Sequence, residues 1–428
     1  MSPRFDPRAY RDPAPAPWLI HLLGPVNRHV MLGPLLRLRE FDLPAADLAR
    51  LRAAVNPRTA AFLGPNHPEF LTDWLIDKEL SRRVSPLMAH WASYEIVNGS
   101  PLSQRFWLAN NLIANAPGGE GKAWSIRWAL AGHGVLLHPE GTATWQAERV
   151  GPLLPGIVDM AWEAARALRE RGDARPVYVV PLVWRLRFLA DPSAGLHREM
   201  AHIERELELP AGAGEIEARF AALLGQLLAR QCRRLALPAP ALDPVAPGAG
   251  YFPAQAATLA AVREALAAVH GPLDPDPTRA QHRLRKSIRV HAKTDPDGAR
   301  RDRERLAELQ RLHGFDPALY DRPALAPERL AEVLKRIRSA LVTRGLANAL
   351  HNTIPVGVAP RAAHVRVPEP LAVHEALAAA TDEAESRAAL LAELHARLQR
   401  GVERLRDEFS GAGVARERPN PLSSGAGG

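Results

Sequence analysis

The chain has 428 residues, 46% hydrophobic and 24% charged, a composition that builds buried cores and excludes wholesale intrinsic disorder. Its formal charge of +8 and pI near 10.1 favour acidic partners, so anionic lipid and nucleic acid both fit. A single cysteine, Cys232, excludes an intrachain disulfide and a cysteine-built metal site.

Residues 1–16 are proline-rich and polar and read as a flexible arm without a signal peptide. Residues 17–40 turn apolar, but Pro25, Asn27, Arg28, His29 and Pro34 interrupt a run that falls short of the about 20 apolar residues of a membrane span. Two short amphipathic helices are expected there, either lying on a bilayer with Trp18 at the headgroups or packed on the body of the protein. Residues 41–56 then read as a helix and 60–64 as a short strand.

The stretch 63–74, LGPNHPEFLTDW, sets His67 at the mouth of a helix that Pro68 is suited to begin, with Asp73 six positions on. Six is too far for one helical face, so the side chains meet only if the loop folds back over the first turns. If they meet, the carboxylate orients the imidazole and leaves its other nitrogen as a base; if not, they are a capping histidine and a solvated aspartate. Residues 134–144, GVLLHPEGTAT, read as a buried strand breaking at Pro139 into a turn with Glu140, Gly141 and Thr142. Functional groups gather at the carboxyl ends of strands in open α/β sheets. Residues 153–161 pass through Pro155 and Gly156 into a helix, and 177–184, VYVVPLVW, form a buried strand carrying Pro181.

These four segments, in this order, resemble the glycerolipid acyltransferase superfamily, whose lysophosphatidic acid acyltransferases carry NHxxxxD and FPEGTR motifs. The resemblance implies an α/β fold, a mixed and largely parallel sheet flanked by helices. It implies transfer of a fatty acyl group from an acyl-CoA or acyl carrier protein thioester to the hydroxyl of a glycerolipid such as lysophosphatidic acid. His67 is then the general base, oriented by Asp73, while Glu140, Gly141, Thr142 and Pro181 belong to the acceptor site. No cofactor is implied beyond the thioester co-substrate. The expected setting is cytoplasmic and peripheral, on the anionic face of a membrane.

Three departures stand out. Five residues rather than four separate His67 from Asp73, His138 and Ala143 stand where phenylalanine and arginine are usual, and residues 111–121 lack the arginine of the second motif. Arg127 is the remaining candidate for anion binding, with Lys122 and Arg149 behind it. An unphosphorylated lipid acceptor, or an inactive lipid-binding protein of the same fold, therefore stays open.

His133 and His138 are five apart on one strand and so face opposite sides, and no metal site is expected. Residues 190–355 show helical periodicity broken by proline clusters, an all-helical insertion. Its basic cluster, from Arg283 to Arg301, reads first as solvated helix faces and second as a contact with anionic lipid; with no zinc finger or aromatic stacking set beside it, nucleic acid comes last. Residues 364–373 return to strand character and resemble the family's closing strand. Residues 356–409 are thus expected to complete the core that 41–189 begin, and 410–428 to form a disordered Gly/Ser-rich tail.

Overall fold

The computed structural model describes residues 6, 9–116, 118–144, 146–243, 248–275, 277–342, 345, 346, 348, 350, 358–409 and 417–423. The chain forms two compact units, Met1–Ala190 with Ala349–Val414, and Asp191–Asn348 with Ala415–Gly428.

Helix α1 (Pro17–Val26) runs without a break into a wider π-helical stretch, Asn27–Leu35, so one rod replaces the two short helices expected. Pro25 and Pro34 lie inside it, and a wider turn relieves the clash of a proline ring with the carbonyl four residues back. Strand β1 (Leu38–Asp42) takes the start of what reads as a helix, and α2 (Ala45–Ala54) the rest. Then come β2 (Ala60–Pro65), α3 (Thr72–Val84), β3 (Ala89–Ser93), α4 (Tyr94–Val97), α5 (Pro101–Ala109) and β4 (Leu112–Asn115). They are followed by α6 (Glu120–Leu130), β5 (Val135–Leu136), α7 (Gly156–Glu170) and β6 (Val177–Phe188). The second unit contributes α8 (Ser193–Glu206), α9 (Ile216–Arg234), α10 (Tyr251–His270), α11 (Pro277–His291), α12 (Pro296–His313), β7 (Ala324–Leu325) and α13 (Pro327–Leu341). The chain returns to the first unit with β8 (Arg361–Arg366), β9 (Leu371–Ala372), α14 (Val373–Ala379) and α15 (Glu383–Phe409), and ends in β10 (Arg418–Pro419).

The first unit is an α/β fold on a sheet of order β1-β8-β6-β2-β5-β3-β4, with β9 also on β6. All pairings are parallel except those of β8 and β9 with β6. Strand β2 alternates cleanly between two cores. Ala60 and Phe62 pack with Trp162, Leu168, Leu394 and Leu398 of α7 and α15, whereas Ala61 and Leu63 pack with Leu51, Leu75, Ile76 and Leu80 of α2 and α3. A strand covered on both faces reads as an unbroken apolar run, which is why β2 and β6 are visible in the sequence. Among the described residues no helix is long and apolar enough to cross a membrane.

Two terminal expectations need correction. Residues 9–16 are tied down rather than free: the amides of Ala14 and Ala16 donate to the carbonyls of Leu108 and Ala109, and Tyr10 packs on the core. The described part of the tail is ordered too. β10 pairs antiparallel with β7, and the Asn420 amide donates to the carbonyls of Tyr320 and Arg322, so the second unit is helical except for this short ribbon. A buried Asn satisfying two carbonyls outweighs the Gly/Ser composition around it.

Helix α15 lies close to β6 where Gly401 faces Val183, whose Cγ2 is 2.6 Å from the position of an added Cβ. Gly401→Val should therefore lower stability by about 1–3 kcal/mol through overpacking, measured as a fall in the thermal midpoint followed by circular dichroism. An unchanged midpoint would mean that the helix and strand are not in this contact.

Candidate functional site

Parallel pairing sets Leu63 of β2 opposite Leu136 of β5, so the loops carrying His67 and His138 leave the sheet at the same edge. The two imidazoles stack, with ring centres 4.1 Å apart and planes 18° from parallel. Asn66 locks the first loop to β6: its side-chain oxygen accepts from the amide of Trp184 at 2.9 Å, and its side-chain amide donates to the Trp184 carbonyl at 3.1 Å. Pairing of β6 with β8 starts at Val183 and with β9 ends at Val179. Pro181 sits in that gap, opposite Gly64 on β2, where a missing N–H leaves no ladder bond unmade. It is buried in the sheet, so its part in the structure is to fill that gap between the pairings of β6.

The loop folds back as the dyad requires. Leu71, a non-glycine residue, has φ of 49° and turns the chain into α3, a conformation that costs roughly 1–3 kcal/mol. His67 Nδ1 then bonds Asp73 Oδ2, while Asp73 Oδ1 accepts from the Glu69 amide at 3.1 Å. Burial, first for both groups, pushes the imidazole well below its usual 6.5 and the carboxyl well above its usual range. The stacked His138 adds to the first shift, and Asp77 and Glu69 to the second. Both shifts have the same leading cause, burial, which disfavours the charged form of each partner. The His67 side chain keeps 15% exposure, and among the described residues no protein group bonds Nε2.

Glu140 is a clamp. Oε1 accepts from the His67 amide and Oε2 from the Gly151 amide, each at 2.6 Å, so both oxygens serve backbone rather than an acceptor molecule. Gly141 and Thr142 are exposed on the adjoining turn. Thr144 adds a second tie, donating its amide to the His67 carbonyl at 2.8 Å. Arg127 is not brought here; it pairs with Asp12 at 3.3 Å on an exposed face.

Sequence reasoning missed Asp77 and Lys78, and set His138 aside. His138 Nε2 lies 3.1 Å from Asp77 Oδ2, and Nδ1 lies 3.3 Å from the Asn66 carbonyl. His133 precedes β5 and packs its ring against Trp128, so it is not on the strand that was to carry both histidines. His67, Asp73 and His138 each place one ligand atom within 4.8 Å of the others. That donor set suits a metal in type: His67 Nδ1 faces Asp73 and the His138 nitrogens face Asp77 and the Asn66 carbonyl, while His67 Nε2 has no protein partner among the described residues. Lys78, also on α3, donates to the Asn110 carbonyl at 3.0 Å and faces a cavity of about 740 Å³. The walls include Ile20, Leu23, Met31, Trp74 and Phe106. Burial pushes the Lys78 ammonium down to about 7, opposed by Asp77.

The chain matches no family model, and no curated protein matches it.

Lys78 ionises at about 7 in the fold and near 10.5 when free, so between those values the unfolded chain holds the extra proton. Stability must then rise with pH across that window and stay flat below it. Urea unfolding from about pH 7 to about pH 10 should show this rise in the parent and lose it in Lys78→Met; identical pH slopes would mean an ordinary, solvated lysine.

Proposed function

We propose that the chain is an acyltransferase moving a fatty acyl group from an acyl-CoA or acyl carrier protein thioester to the hydroxyl of a lysolipid. The observation that carries this reading is the half-buried His67, whose burial disfavours the imidazolium, bonded through Nδ1 to Asp73 and open at Nε2. Such an imidazole takes a proton from a hydroxyl as its oxygen attacks the thioester carbonyl. The tetrahedral intermediate expels the thiolate, which recovers the proton from His67, leaving an ester and a free thiol. Asp73 compensates the transient charge on the ring. Glu140 acts indirectly, by holding the His67 loop.

The cavity walled by α1, the π-helical stretch, α3 and α5 suits an alkyl chain, with apolar walls that carry the cations Arg28, Lys78 and Arg82. Lys78 takes the anion-binding role for which the sequence offered Arg127. Trp18, Leu22, Val26 and Val30 recur every four residues on the rod and are all exposed, a stripe suited to lie in a lipid surface beside the cavity. Ala143 and the engagement of Arg127 with Asp12 favour one second reading, an acceptor without phosphate.

Purified protein given labelled acyl-CoA or acyl carrier protein thioester and a panel of lysophospholipids and unphosphorylated lipids tests this directly. His67→Ala should lower turnover roughly 100-fold to 10,000-fold; activity within a few-fold of the parent removes the base. Product from unphosphorylated acceptors alone selects the second reading, and no product from folded protein leaves a lipid-binding protein.

Trp18→Ser with Leu22→Ser should weaken co-sedimentation with anionic vesicles at least about tenfold, because burying one such side chain is worth about 1.5–3 kcal/mol. Unchanged sedimentation would take the stripe out of membrane contact.

A further inference from the structure

The second unit holds a cluster of donors that the acyl chemistry does not use. Helices α10, α11 and α12 pack through Val262 and Leu266, Leu284 and Ile288, and Ala299, Leu306 and Leu309. At one end of this core, His270, the last residue of α10, His291, the last of α11, and Asp302, on α12, converge. One ligand atom from each lies within 4.8 Å of the others.

The details are those of a coordination site. Asp302 Oδ2 lies 3.0 Å from His270 Nε2 and 3.4 Å from His291 Nδ1, so two imidazole nitrogens face one carboxylate oxygen. His291 Nδ1 is buried and makes no hydrogen bond among the described residues. The outward nitrogen of His270 is held, with Nδ1 2.9 Å from Ser287 Oγ, and that of His291 faces a carboxylate at longer range, with Nε2 3.8 Å from Asp295 Oδ2. Metal-binding histidines are commonly held as His270 is, with the second nitrogen on a hydroxyl or carboxylate that fixes the tautomer. Arg305 Nη1, 3.3 Å from Asp302 Oδ1, orients the carboxylate and leaves Oδ2 to the two rings. His270 and Asp302 side chains are each 2% exposed, whereas His291 keeps 25%, so the cluster is reached from solvent on the His291 side.

We propose that His270 Nε2, His291 Nδ1 and Asp302 Oδ2 bind a divalent transition metal of the zinc type, tying three helices of the second unit together. Two imidazoles and one carboxylate suit Zn2+ in a tetrahedral site with one open position, and are too nitrogen-rich for Ca2+ or Mg2+. The site stands apart from the acyltransferase reading and does not depend on it.

The test uses the full chain without a histidine tag, stripped with EDTA and titrated with ZnSO4 by calorimetry, and with Co2+ by visible absorption. One Zn2+ per chain is expected, with a tetrahedral Co2+ band and a raised thermal midpoint. His291→Ala removes the most exposed ligand and Asp302→Asn keeps its shape, so at least one variant should fold, as judged by circular dichroism. Each folded variant should bind Zn2+ at least about tenfold more weakly. Absence of binding by the parent overturns the proposal. So does Zn2+ bound equally by the parent and both variants, which would place the ion elsewhere, as at His67 and His138.

Discussion

One carboxylate governs the geometry of the first unit's site. Glu140 is buried between two backbone amides from segments that the sequence keeps far apart, and its oxygens leave neither amide without a partner. Hydrogen bonds to a charged acceptor are worth roughly 1.5–3 kcal/mol, and burial itself pushes the Glu140 carboxyl up, against the pull of those bonds. Replacing the carboxylate would strand two buried N–H groups as well as removing a charge. The His67 loop, the turn after β5 and the segment before α7 are therefore fixed as one object.

Around that clamp the protein buries more ionisable groups than a stable core needs. Asp73, Asp77, Glu79 and His90 are all nearly inaccessible on or beside α3. Each is accommodated differently: Asp73 by His67, Asp77 by His138, Glu79 by Arg28, Arg82 and Arg83, and His90 by the Ser81 hydroxyl. Perturbed groups concentrated on one helix, at the carboxyl edge of a mostly parallel sheet, are where chemistry is expected from physical grounds alone. The strained Leu71 at the start of that helix belongs to the same pattern.

The coarse α/β class was legible because β2 and β6 are buried on both faces and so carry continuous apolar runs. β1 was not, since LREFD is polar and is a strand only by virtue of its partner β8, more than 300 residues later. The dyad was legible as a condition: the sequence showed that His67 and Asp73 needed a reversed loop, but no propensity at Leu71 announces a positive φ. His138 was visible and dismissed, although two parallel strands that end together bring their following residues together. Arg127 was misplaced because the arm containing Asp12 was read as free. The three donors of the second unit lie on separate helices, where no spacing rule reveals them.

The path of the chain through its sheet bears on how the protein is made. β6 is complete at Phe188, whereas the strands that cover its other edge begin at Arg361. At synthesis rates of about 5–20 residues per second, that apolar edge waits roughly 10–35 s on the ribosome before its partner exists. Helices α8 to α13 of the second unit all emerge in the interval. An unpaired strand of this kind is an aggregation template, so the nascent chain carries its greatest hazard just when its second unit is folding, and a truncation after that unit would retain the hazard permanently.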